Sequence, residues 1–119
     1  MKAHSLIAAI ATVFIGCAYT GQFAAASTLR QDPPGKTPYE ENCRKCHGVR
    51  GIAPKTMKAK FPKIVTFDEE FFDKRTDDSV VKVLTKGKNE NMKSFKDKLS
   101  HEQMVAVAAY IRTFAKKQP

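Results

Sequence analysis

The stretch Cys43-Arg44-Lys45-Cys46-His47 decides how this chain is read. On a helix, Cys43 and Cys46 stand at i and i+3, so both sulfurs face one side. Paired cysteines in an exported chain first suggest a disulfide. A thioredoxin-like dithiol needs a βαβ setting, and no period-2 alternation marks a strand anywhere in this sequence. The residue after the second cysteine separates these readings. Cys-x-x-Cys-His is the spacing of covalent haem attachment. The two sulfurs reach two vinyl groups on one porphyrin edge, and His47 then presents a neutral imidazole nitrogen to the iron. One haem c is expected, bound by Cys43, Cys46 and His47.

Around this motif the chain reads as short helices joined by long loops. Thr37, Pro38 and Glu40 suit a capped start, which predicts a helix over 38–46 ended by Gly48. Glu40 and Glu41 near its start and Arg44 and Lys45 near its end match the macrodipole. Residues 49–66 hold Gly51, Pro54, Pro62 and four lysines, and read as a loop. Residues 68–74 suggest a short helix accompanied by Phe67, Phe71 and Phe72. A further helix starts near Thr76 or Asp77 and stops before Gly87, with Val80, Val83 and Leu84 on one stripe. After an irregular stretch over 88–99, Ser100 with Gln103 forms a capping box. Met104, Val107, Ala108, Ile111 and Phe114 or Ala115 then continue one apolar face. The fold class is all-α, with about four short helices. Few large apolar residues are available, so the domain needs a staple of the kind small scaffolds use, which a haem supplies.

The amino terminus reads differently. Lys2 is followed by an uncharged, mostly apolar run over 5–18 and then by Ala24-Ala25-Ala26. This is the grammar of a secretory signal peptide over 1–26. The apolar run falls short of the roughly 20 residues that span a bilayer; a retained membrane anchor is the alternative. Phe14-Ile15-Gly16-Cys17 partly matches a lipobox, which makes lipidation of Cys17 a second alternative. Residues 27–36, with Pro33-Pro34-Gly35, form an extended lead-in, and 37–119 form one domain.

The part beyond residue 26 carries 20 Lys and Arg against 12 Asp and Glu, a net charge of +8. Two ionised haem propionates would lower this to about +6. The lysines are dispersed along the chain, which, with export, argues against a nucleic-acid partner. Their summed field suits steering towards an acidic protein partner.

Opposite His47 the iron needs a sixth ligand or stays open. Met104 falls on the core stripe of the last helix. Met57 lies only ten residues beyond His47, and His101 sits in the first turn of a surface helix. Met92 lies in an irregular segment 45 residues beyond His47, with a helix between them that lets the chain wrap the haem. Met92 is the favoured candidate, and a His/Met pair would close the coordination sphere.

Three segments carry a family resemblance: Tyr39-Glu40-Glu41-Asn42 running into the haem motif and Gly48; residues 76–88; and Met92-Lys93-Ser94-Phe95 running through Ser100 to Val107-Ala108-Ala109-Tyr110-Ile111-Arg112. The chain resembles class I monohaem cytochromes c of bacteria from about Thr37 to Ala115. The resemblance implies a cytochrome c fold in which the first and last helices cross, with Tyr39 and Tyr110 at the crossing. It maps the family's iron ligands onto His47 and Met92. Two departures stand out. The family usually follows its methionine with proline, whereas Lys93 stands here, which implies a looser loop. The family also places a proline carbonyl beside the proximal imidazole, and Pro54 is the candidate.

The expected function is therefore haem-mediated transfer of single electrons between redox proteins in the periplasm, without catalysis. The expected carrier is a monomer with no membrane span after processing. The alternatives are an electron-entry subunit of a larger oxidoreductase and a ligand-binding or peroxidatic haem protein.

Overall fold

The computed structural model describes residues 31–116. The expected signal peptide over 1–26, Cys17 within it, and the start of the lead-in lie outside the described residues. Six helices follow one another: α1 (Lys36–Asn42), α2 (Arg44–His47), α3 (Lys55–Lys60), α4 (Glu69–Asp73), α5 (Asp77–Lys86) and α6 (His101–Ala115). Among the described residues there is no strand, so the all-α class stands.

The helix number rises from about four to six for two reasons. The first expected helix divides at Cys43, whose φ of −119° departs from helical values, although Cys43 N–H still bonds the Tyr39 carbonyl (2.8 Å) and His47 N–H the Cys43 carbonyl (2.9 Å). The second reason is α3, which lies inside the stretch read as a loop. It buries no residue, so it leaves no apolar stripe in the sequence to be found.

Three helix starts, those of α4, α5 and α6, are capped by side chains, whereas α1, α2 and α3 have no side-chain cap. Asp68 accepts from Phe71 N–H (2.9 Å) at α4, and Thr76 accepts from Ser79 N–H (3.2 Å) at α5. Ser100 and Gln103 form the expected reciprocal box at α6, at 3.2 and 2.9 Å. The Thr37–Glu40 box does not form. Helix α1 starts two residues earlier, with Gly35 at its N-cap and no side-chain cap. The cause is tertiary: Gly35 is buried against α6, where a Cβ would fall on the Ala106 carbonyl and Tyr110. Gly48 (φ +78°, ψ 173°) and Gly87 (φ +75°, ψ 172°) end α2 and α5 in a conformation essentially reserved to glycine.

Helix α6 is the centre of the core and packs on α1, α4 and α5. Its Met104, Val107, Ala108, Ile111 and Phe114 are buried, as the stripe predicts. Val80, Val81 and Leu84 of α5 are buried too, while Val83 is only half-buried. Tyr39, fully buried, joins α1 to α6 through edge-on contacts with Tyr110 (5.6 Å) and Phe114 (5.2 Å). Arg112 ties α6 to the start of α5. It bonds Asp77 at 2.6 Å and the Arg75 carbonyl at 3.2 Å, and covers the Phe72 ring at 4.6 Å.

The Tyr39 hydroxyl donates to the Gly48 carbonyl at 2.6 Å, and both residues are buried. Tyr39→Phe leaves that carbonyl unpaired and should cost about 1–3 kcal/mol in a denaturant titration. Burial pushes the Tyr39 phenol above its usual 10.0, so the folded state favours the protonated form. Stability from this group is full below pH 10 and falls as pH rises above it, by at most about 1.4 kcal/mol per pH unit. The alkaline limb of the stability profile should be shallower in Tyr39→Phe.

Candidate functional site

Two hollows of about 200 and 440 Å³ meet at one place in the fold. Cys43, His47, Val65, Lys88 and Met92 line both of them. The smaller is walled by the core faces of α5 and α6, including Val80, Leu84, Val107 and Ile111. Half-buried Val83 also faces it, which accounts for its place on the α5 stripe. The larger is bounded by Cys46 and by the segment from Lys60 to Val65.

The motif residues reach this space because α2 and Gly48 aim them there. Cys43 is buried, Cys46 is half-buried, and neither is in a disulfide. Burial, and secondarily the nearby Cys46, pushes the Cys43 thiol up to about 11, so a free thiol there stays protonated at neutral pH. His47 is buried, and burial depresses its pKa against an opposing effect of the Val65 backbone carbonyl; the imidazole is therefore held neutral, the form that binds metal. Its Nδ1 is buried without a hydrogen-bond partner among the described residues. Phe67 stacks on the imidazole at 4.8 Å and 19°, and Phe71 meets Phe67 edge-on at 5.2 Å. The expected role of Pro54 is not realised. Pro54 is exposed, and its carbonyl accepts from Lys58 N–H at 2.9 Å as the start of α3. The carbonyl beside His47 belongs to Val65 instead.

The other sixth-ligand candidates lie elsewhere. Met104 is buried in the core, its Sδ accepting from Thr85 Oγ1 at 3.4 Å. Met57 is half-buried on α3, and His101 is exposed at the start of α6. None of these three borders either hollow, whereas Met92 borders both.

The residues present fit a covalently held haem. Two unpaired thiols, a buried imidazole and a thioether converge on one mostly apolar space. Cys43 and Cys46 would hold the porphyrin edge, and His47 with Met92 would flank the iron. Sequence reasoning missed three features: Phe67 against the imidazole, the Val65 carbonyl, and Lys74, Arg75 and Ser79 on the wall of the smaller hollow. A backbone carbonyl carries no sequence signal. The Phe67-x-x-x-Phe71-Phe72 cluster did signal aromatic packing, but not its partner.

Comparison with known proteins agrees with this geometry. The family described as cytochrome c oxidase, cbb3-type, subunit III matches residues 30–111. Among solved structures the chain is similar to the KustC0563 c-type cytochrome, with 30% identity and a TM-score of 0.61 over 67% of this chain and 95% of that one. No curated protein matches.

Phe67 is buried and forms one wall for the imidazole. Phe67→Ala should lower stability by about 3–5 kcal/mol, with Phe67→Leu costing less, as read from the midpoint of urea unfolding.

Proposed function

This chain belongs to the cytochrome c family described as cytochrome c oxidase, cbb3-type, subunit III, and from that premise we propose that it is an exported, six-coordinate electron carrier with one haem. Members of the family transfer electrons through haem. The finer reading rests on one observation: Met92 and His47 border both hollows together with Cys43, and the larger one also with Cys46.

In this reading Cys43 and Cys46 hold the haem as thioethers. His47, kept neutral by burial and stacked against Phe67, would bind the iron. Met92 would bind it through a thioether, a soft ligand that would favour ferrous iron and close the site to oxygen and substrate. A haem held there would supply one-electron chemistry. Val80, Leu84, Val107 and Ile111 keep water from the cofactor's face, which limits solvent rearrangement during the transfer. Lys60, Lys63 and Lys88 are exposed on the border of the larger hollow. They present positive charge where the cofactor would be most accessible, suiting brief, salt-sensitive encounters with an acidic partner.

Periplasmic location is part of the proposal, supported by the signal grammar over 1–26. No helix among the described residues is long and apolar enough to cross a membrane. The family's description, which names an oxidase subunit, favours a second reading: an electron-entry subunit bound to a larger oxidoreductase. Purification from native membranes and periplasm separates the two, since a carrier elutes alone and a subunit elutes with its enzyme.

Spectroscopy and carbon monoxide titration test the closed site. The reduced wild-type protein should bind carbon monoxide slowly and incompletely; rapid stoichiometric binding would overturn the carrier reading. Met92→Ala should bind it readily. Its midpoint potential should fall by on the order of 0.1 V, within the roughly 0.8 V over which axial ligands set haem potentials.

A further inference from the structure

The loop that carries Met92 contains no proline between Gly87 and Leu99, so no ring fixes its backbone. Lys93 follows Met92 directly. Such a segment would be free to swing its methionine away unless something else held it. The structure supplies a set of hydrogen bonds instead. The Asn89 side-chain oxygen accepts from two backbone donors, Asn91 N–H and Met92 N–H, both at 3.0 Å. The Met92 carbonyl accepts from Lys88 N–H at 2.8 Å and more weakly from Asn89 N–H at 3.4 Å. Both sides of Met92 are thus tied to residues 88 and 89.

The same loop is fastened to α5. Ser94 Oγ donates to the Thr85 carbonyl at 2.6 Å, and Phe95 N–H donates to the Leu84 carbonyl at 2.8 Å. Gly87 lets the two arms close, because a Cβ there would press on Ser94 N, the Lys93 carbonyl carbon and the Met92 carbonyl oxygen. Three of these six ties are backbone to backbone and would survive substitution of the side chains. The Asn89 carboxamide is different: it is the side chain that bonds the Met92 backbone directly. Asn89 is also exposed, so it adds little to the packing of the core.

We propose that Asn89 is a positioning residue that holds Met92 at the border of the two hollows, supplying by hydrogen bonding the rigidity that the proline-free loop lacks. This inference rests on Met92 being the sixth ligand. It requires an acceptor oxygen at the distance an Asn or Asp provides. Asp at 89 keeps that oxygen in place, whereas Gln carries it one methylene further out.

The test uses the haem-loaded full chain and two readouts: the long-wavelength thioether–iron band of the ferric protein, and the affinity of added imidazole, which competes with the methionine for iron. Asn89→Ala and Asn89→Gln should weaken the band and raise imidazole affinity by about tenfold, as expected from losing roughly one net hydrogen bond. Asn89→Asp should behave like wild type, as should Glu90→Ala, which alters an exposed neighbour in the same turn. A merely structural role would not separate Asp from Gln. If Asn89→Ala fails to accumulate with haem, the Asp and Gln pair decides alone. A wild-type protein lacking the band removes both the Met92 reading and this inference. A wild-type protein with the band, whose Asn89→Ala and Asn89→Gln variants match it in band and imidazole affinity, overturns the inference by itself.

Discussion

The hydrogen bond from Tyr39 to the Gly48 carbonyl, 2.6 Å long and fully inside the protein, is the constraint on which the rest depends. Gly48 follows His47 directly, so this bond anchors the residue next to the imidazole. The Tyr39 ring meets both Tyr110 and Phe114 of α6 edge-on. One side chain therefore couples the pairing of the first and last helices to the placement of the motif. The hydroxyl satisfies a carbonyl that water cannot reach, and the ring contributes apolar burial and edge-on aromatic contact. The close approach at Gly35 belongs to the same junction, since a larger residue there would push α1 off α6.

A second level of organisation surrounds the cofactor space. The walls that α5 and α6 turn towards it also form the core, so the site and the core share one structure. The unpartnered Nδ1 of His47 lies in the part of the fold where the haem is expected. In a domain with few large apolar side chains, a bound porphyrin contributes burial that the chain cannot supply alone. Folding and cofactor attachment are thus expected to be coupled.

Much of this was legible in the sequence, for identifiable reasons. The α6 stripe and its capping box were visible because periodicity and end chemistry agreed with the tertiary packing. The same holds for α5, apart from Val83, which serves the hollow. The cysteine pair and His47 were legible because their spacing is itself the chemistry. The start of α1 was misplaced because a local capping signal at Thr37 yielded to the contact of Gly35 with α6. Helix α3 was invisible because it turns no apolar face inwards. The carbonyl beside His47 was assigned to Pro54, but the Pro54 carbonyl is taken by α3, and the long-range return of the chain brings Val65 there. The loop around Met92 read as loose because proline was missing, whereas Asn89 and Gly87 compensate in a way that only a folded backbone reveals.

Helix α3 has a consequence beyond its own geometry. It carries Lys55, Lys58 and Lys60 and buries nothing, so its sequence is almost unconstrained by folding. Exposed substitutions away from such packing usually change stability by no more than about 0.5 kcal/mol. Selection can therefore rewrite this surface while the interior remains as it is. The protein separates the part that must stay the same from the part that is free to diverge.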